Sequence, residues 1–363
     1  MGNYRRSVVA VIAASTFALT ACGSTEDSAA PGLDPNADLS KQSIVVSNYE
    51  SYMPDDLPAR FTTATKAGID VTYHATNEEV VAKLVSGNSG IDVAFISGTY
   101  AQALAAQGLL EPIDSNLVPN LKNLYPEASQ LPYDVGNKYS VPYAWGTTGL
   151  CYRPDLTGYD PDSWTDLLSP RENVSGKTTM MATERWLLLP ALKSLGYSAN
   201  TQNEDELNKA KEVLVETKKS LLAYDDTTFY QRLVSGEASL VAAWDGWCNY
   251  GIAENPDIKF VVPKEGSDLW VDVMVIPKSS TNKEAAQAFV NFVLQADTQS
   301  WVTENILYKT PNKAAMELVP AELFKQYPNL NMSIAELFQQ EVLVDVPDAS
   351  SLYTKIATEV TSG

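Results

Sequence analysis

A single histidine, His74, and three cysteines, Cys22, Cys151 and Cys248, are all the imidazole and thiol that 363 residues contain. Acyl transfer through a Ser/His/Asp or Cys/His set needs an imidazole base. His74 follows an expected strand and has no nucleophile signature beside it. No GxSxG, GxxxxGK(S/T), HExxH or GxGxxG run occurs, so hydrolase, nucleotide, zinc and dinucleotide chemistry lack their local marks. Carboxylates abound, but nothing selects a facing pair of the glycosidase kind. The chain reads as a non-enzyme, with no cofactor and no metal site. Basic side chains are also scarce, 26 against 45 acidic ones, for a formal charge of −19. Such a surface repels phosphate backbones and anionic lipid headgroups, which argues against nucleic-acid partners and against a basic membrane patch. A cationic ligand is permitted. The one extended apolar run, residues 8–19, is shorter than the roughly 20 residues of a membrane-spanning helix.

With 45% hydrophobic and 9% aromatic residues, the composition is that of a globular chain of one large or two ordinary domains. Arg5 and Arg6, the apolar stretch Val8 to Leu19 and the closing Leu19-Thr20-Ala21-Cys22 resemble a bacterial lipoprotein signal. That resemblance implies cleavage of residues 1–21, lipidation of Cys22 and anchoring to the outer face of a membrane. Loss of the two arginines leaves 24 basic against 45 acidic residues, a charge of −21. Residues 22–42, rich in Gly, Ser, Asp, Ala and Pro, read as a flexible tether. For Cys151 and Cys248 three readings stand: a disulfide closing a long loop, buried thiols, or a metal pair. An exported compartment favours the disulfide, and the metal pair lacks both CxxC spacing and neighbouring histidines.

Along the mature chain, strand-like runs at 44–47, 68–73 and 92–96 alternate with helical spacings at 58–66, 77–86 and 100–108. Residues 139–143 and 148–152 read as two extended crossings. A second block follows with a turn at 164–168, strands near 177–181, 239–244 and 259–262, and helices at 185–195, 204–219 and 229–235. Another strand is expected at 270–276, then a helix at 283–296 whose Ala286, Phe289, Phe292 and Val293 form a core-facing stripe. Alternation of this kind predicts βαβ units in two α/β lobes with a cleft between them. Three segments at strand ends join aromatics to carboxylates: Tyr49-Glu50-Ser51-Tyr52, Trp244-Asp245-Gly246-Trp247 and Trp270-Val271-Asp272. Ligands bind outside the carboxyl ends of strands in such sheets, and aromatic faces with a carboxylate suit an ammonium group.

The stretches NYESYMPDDL (48–57), YSVPYAWGTTGLCYRPD (139–155), LGYSAN (195–200), SGEASLVAAWDG (235–246), VVPKEGSDLWVDVMVIP (261–277), KEAAQAFVNFVL (283–294) and TPNKAA (310–315) resemble the spermidine/putrescine-binding proteins of bacterial ABC importers. The resemblance covers nearly the whole mature chain. It implies a two-lobe periplasmic binding protein fold of type II, each lobe a mainly parallel sheet flanked by helices. Lobe 1 would comprise 43–147 and 273–318, lobe 2 148–272, and 319–363 a helical segment packing across both. It further implies an extracytoplasmic, monomeric, lipid-anchored protein that closes on a polyamine or related organic cation and serves an ABC permease. The family's aromatic box falls on Tyr49, Tyr52, Trp244 and Trp270, its amine-holding carboxylate on Asp272, and a polar contact on Ser97. One of Asp245 or Glu184 is expected to supply a second carboxylate. Departures cluster at the other end: Thr183 and Trp186 stand where the family has Asp and Glu, with Glu184 the substitute if the loop shifts, and Leu343 stands where a glutamine is common. That pattern implies a shorter ligand or one with a methylated or less charged end. A zwitterion held through Arg185, or a surface sensor without transport, are the alternatives.

Overall fold

The computed structural model describes residues 33–362, so the expected signal 1–21 and Cys22 lie outside the described residues. From Asp34 onward the chain forms one compact unit. Ten strands occur among the described residues: β1 (Ser43–Asn48), β2 (Gly68–Tyr73), β3 (Val93–Ser97), β4 (Ser140–Tyr152), β5 (Thr178–Met180), β6 (Leu221–Tyr224), β7 (Leu240–Trp244), β8 (Lys259–Val261), β9 (Asp268–Val275) and β10 (Glu341–Val342). They pair in the order β2-β1-β3-β9-β4-β7-β5-β6, with β10 added to β9 and β8 to β4.

The spine of this arrangement is β4. Its first part, Ser140 to Thr147, runs antiparallel to β9, and its second, Thr148 to Tyr152, antiparallel to β7. Parallel pairing is found among the outer strands, β2-β1-β3 on one side and β7-β5-β6 on the other, and between the short β10 and β9. Two α/β lobes thus share one strand. Each parallel strand is reached through a crossover helix, as a parallel pair requires. β3 shows the consequence: Val93 to Ile96 are fully buried with no polar alternation. One core holds Phe61, Phe95 and Phe289 beside β1, β3 and β9. Two more flank the second lobe's sheet, one around Trp164, Leu188 and Tyr353, the other around Phe229 and Leu330.

Local signals explain the element ends. Thr76 caps the helix Asn77–Val85 by accepting from the Glu79 amide at 3.3 Å. Asn203 does the same for the helix Glu204–Thr217. The stripe on the helix Lys283–Val293 is core, with Ala286, Phe289, Phe292 and Val293 all buried.

Several expectations need correction. Residues 164–168 form a short helix rather than a turn, because Ser163 and Asp166 close a reciprocal capping box. The two crossings at 139–143 and 148–152 are one continuous strand, since Trp145, Gly146 and Thr147 keep extended pairing with β9. The boundary proposed between 272 and 273 lies within β9, which pairs with β4 from Leu269 to Val275 and with β3 from Asp272 to Val275. Part of the expected tether is fixed: Leu39–Lys41 make a 3-10 turn capped by Asp38, and the Gln42 side chain bonds Glu284 and the Ala285 amide. β6 and the helix Asp245–Glu254 had no counterpart in the pattern reading. In the C-terminal segment, β10 pairs with β9, while the helix Ser350–Ser362 buries Tyr353, Ile356 and Val360 in the second lobe's core.

Cys151 on β4 and Cys248 in the helix Asp245–Glu254 are bonded, with Cα atoms 5.8 Å apart at a sequence separation of 97. The bond ties that helix to the spine strand. For so long a loop it contributes roughly 4 to 5 kcal/mol in the chain-entropy description.

Candidate functional site

Side chains alternate along a strand, so Asp268, Trp270 and Asp272 of β9 project on one face. The span from Asp268 to Asp272 is roughly 13 Å at the usual strand rise. This face of β9 organises the site.

At one end, Asp272 sits opposite Ser97 of β3 and Ala144 of β4. The Tyr52 hydroxyl donates to its Oδ2 at 2.8 Å and the Ser97 hydroxyl to its Oδ1 at 3.0 Å. Asn77 orients Ser97 by accepting from its amide at 2.9 Å and donating to its Oγ at 3.2 Å. Tyr52 meets Tyr49 edge to face at 5.5 Å, and Tyr49 leans on His74 at 4.5 Å. The Tyr143 hydroxyl fixes the Tyr52 carbonyl. Among the described residues no Lys, Arg or His lies within ion-pair distance of Asp272. Burial pushes its pKa up, opposed by the Tyr52 and Ser97 hydrogen bonds.

In the middle, Trp270 stands edge to face on Tyr308 at 4.9 Å, and its indole N–H has no partner among the described residues. Asp245 opens the helix that follows β7. Its Oδ1 accepts from the Gly246 amide at 2.8 Å and its Oδ2 from the Thr147 amide at 3.2 Å. Gly146 of β4 makes this meeting possible, for a Cβ there would lie 2.4 Å from Asp245 Oδ1 and 2.5 Å from Trp270 Cζ2. Burial lifts the Asp245 carboxyl to about 7, with the Asp268 charge adding to it, while the two amides and Lys309 oppose. Lys309 is itself lowered to about 8 by burial.

At the far end, Asp268 is fully buried. It accepts from the Thr148 amide at 2.9 Å and from the Trp186 indole N–H at 2.8 Å. Trp186 in turn meets Trp244 edge to face at 5.3 Å. Burial raises this carboxyl as well, against the Thr148 and Trp186 hydrogen bonds.

The expected residues therefore group unevenly. Tyr49, Tyr52, Ser97 and Asp272 meet at one end, Asp245 and Trp270 in the middle, and Trp186 and Trp244 at the other. Glu184 turns away to accept from Thr354 Oγ1 at 3.1 Å. Arg185 donates to the Val344 and Ala199 carbonyls and to Asn200 Oδ1, and stacks over Tyr353. Leu343 is buried core. Pattern reading missed Asp268 and Tyr308. Asp268 carried a signal, its place two and four residues before Trp270 and Asp272; Tyr308 carried none. Among the described residues no group of three or more His, Cys, Asp or Glu side chains is placed to hold a metal.

A row of largely buried carboxylates, without ion-pair partners among the described residues and framed by aromatic rings, fits a protein that captures a small solute. A family model described as "Bacterial extracellular solute-binding protein" matches residues 57–332. The chain belongs to that family. It is 32% identical over 324 residues to the spermidine/putrescine-binding periplasmic protein of Salmonella typhimurium, covering 87% of this chain and 90% of that one. It is 29% identical over 348 residues to the putrescine-binding periplasmic protein PotF of Escherichia coli, covering 89% and 92%. Among solved structures, a putative spermidine/putrescine ABC transporter protein from Listeria monocytogenes superposes with a TM-score of 0.79 at 29% identity over 88% of this chain and 98% of that chain.

Proposed function

We propose that this protein is the lipid-anchored binding component of an ABC importer, and that its cleft takes a linear organic cation of the polyamine class. The observation that carries the reading is Asp272: a carboxylate in the cleft wall, drawn from water, held by two hydroxyl donors and left without a cation. Such a charge is costly unless paired. An ammonium group beside it would complete the pairing, with Trp270, Tyr52 and Tyr49 adding aromatic faces. Asp245, in the middle of the row, adds a second negative charge that favours a cationic ligand. The names of the relatives, spermidine/putrescine-binding and putrescine-binding proteins, support the same class.

Capture is by closure of the lobes, a non-enzymatic step. The spine strand near 145–150 and β9 near 270–273 supply the hinge, since a few residues there absorb the rotation. The closed form docks on the permease as a monomer tethered through lipidated Cys22. A zwitterionic ligand would need a free guanidinium at Arg185, whose Nη1 and Nη2 are already committed to backbone and Asn200. Calorimetric titration with putrescine and spermidine tests the reading. One site per chain is expected, with binding lost in Asp272→Ala; unchanged affinity in that variant would remove the assigned role.

A further inference from the structure

Asp268 differs from the other two carboxylates of the row. Asp272 is partly exposed, and Asp245 and Trp270 both approach Gly146. Asp268 is fully buried, and the Trp186 indole N–H donates to its Oδ2. A ligand cannot pair with Asp268 directly. Every contact it receives from Thr148 and Trp186 is a donor, the pattern that suits an ionised carboxylate. No Lys or Arg among the described residues reaches it within ion-pair distance, and neighbouring Arg185 is occupied elsewhere.

The charge therefore acts through the indole. A hydrogen bond to a carboxylate polarises the donor, and in a low-dielectric setting that polarisation is strong. Electron density moves into the ring, and its negative face attracts cations more strongly. Trp186 and Trp244 are both half-buried, so each keeps ring surface open, and they meet at 85° to form a corner. A corner of two indoles offers faces and no acceptor atom. A primary ammonium entering it would lose water and gain no hydrogen bond. A guanidinium or alkylated ammonium is more weakly hydrated and stacks well on indole faces.

Resting on the cation reading of the cleft, we infer that the Trp186–Trp244 corner, made electron-rich by Asp268, selects ligands with a primary amine at the Asp272 end and a guanidinium or alkylated ammonium at the other. Asp268 is a positioning residue in this scheme and Trp186 the contact.

The test compares agmatine with putrescine, the same four-carbon amine with and without a guanidino end, by calorimetry on the purified chain. The wild type should hold agmatine about tenfold or more tighter, a difference two good cation–aromatic contacts can supply. Trp186→Phe, which keeps a ring and removes the donor, and Asp268→Asn, which removes the charge, should each shrink that ratio several-fold. Trp186→Glu should reverse it towards putrescine. The ratio within one variant does not depend on how much of it is folded. If both ligands bind and neither conservative variant moves the ratio, the inference is overturned while the cation reading stands. If neither ligand binds the wild type, the cation reading falls and the inference with it.

Discussion

The two ends of the carboxylate row are built by opposite means. At the Asp272 end hydroxyls from Tyr52 and Ser97 support a partly exposed charge. At the Asp268 end an indole covers the charge and presents a ring instead. Direct pairing gives strength and position; a polarised ring gives tolerance for bulk and weak hydration. One end is thus suited to a primary ammonium and the other to a softer cation, and one short strand, β9, carries both carboxylates.

Changes that break this asymmetry should differ in size. Asp272→Ala should weaken amine binding at least about 30-fold, the lower range for removing one partner of a buried charged hydrogen bond. Titration calorimetry checks it. Glu184→Gln should change affinity less than about twofold, as expected of a surface-type contact with Thr354. Near-equal losses in the two variants would contradict the placement of the site on β9.

Much of the Asp272 end was legible in the sequence, and the far end was not. Tyr49, Tyr52, Trp270 and Asp272 lie in two short segments, one just after β1 and one inside β9 rather than at the strand end expected of it, so local pattern and family resemblance both reach them. Asp268 shares their strand face, but it became a candidate only once Trp186, 82 residues away in sequence, was found on it. Glu184 shows the opposite failure. As the nearest carboxylate to the departure at Thr183 it was a reasonable substitute, yet it opens the helix Glu184–Ser194 on the side facing Thr354. One position along a helix turns a side chain by about 100°, which counting along the sequence does not resolve. For the fold, strands with continuous apolar runs were readable, whereas β6 (Leu221–Tyr224), a half-buried four-residue edge, lacked length and alternation.

The disulfide and the middle of the row test the frame on which the comparison rests. Cys151→Ser with Cys248→Ser removes roughly 4 kcal/mol. For a chain of this size the melting temperature should fall by about 6 °C. An unchanged melting temperature would mean the bond adds nothing to the spine. Gly146→Ala puts a methyl within 2.4 Å of Asp245 Oδ1, and overpacking of this kind costs about 1 to 3 kcal/mol. It should lower stability and amine affinity together, whereas a change at Gly236, whose nearest side-chain atom is 3.7 Å away, should act on stability alone.

pH separates the ends more gently. Asp245 is lifted to about 7 in the folded protein against 3.8 for the ordinary carboxylate. The sign follows from the raised value: its ionisation opposes folding above pH 7, and that penalty fades as pH falls from 7 towards 4. Cation affinity should move the other way, dropping as Asp245 takes up its proton below pH 7. In Asp245→Asn both trends should flatten, as followed by thermal melts and titrations between pH 5 and 8.

The most direct test of the central claim is a paired calorimetric titration of the wild-type chain and Asp272→Asn with putrescine, at one pH above 7. The geometry predicts a single saturable site in the wild type and its loss in the variant, with the variant's fold intact by circular dichroism. Equal binding by both proteins, or none by the wild type, would contradict the assignment of this cleft to a cation held by Asp272.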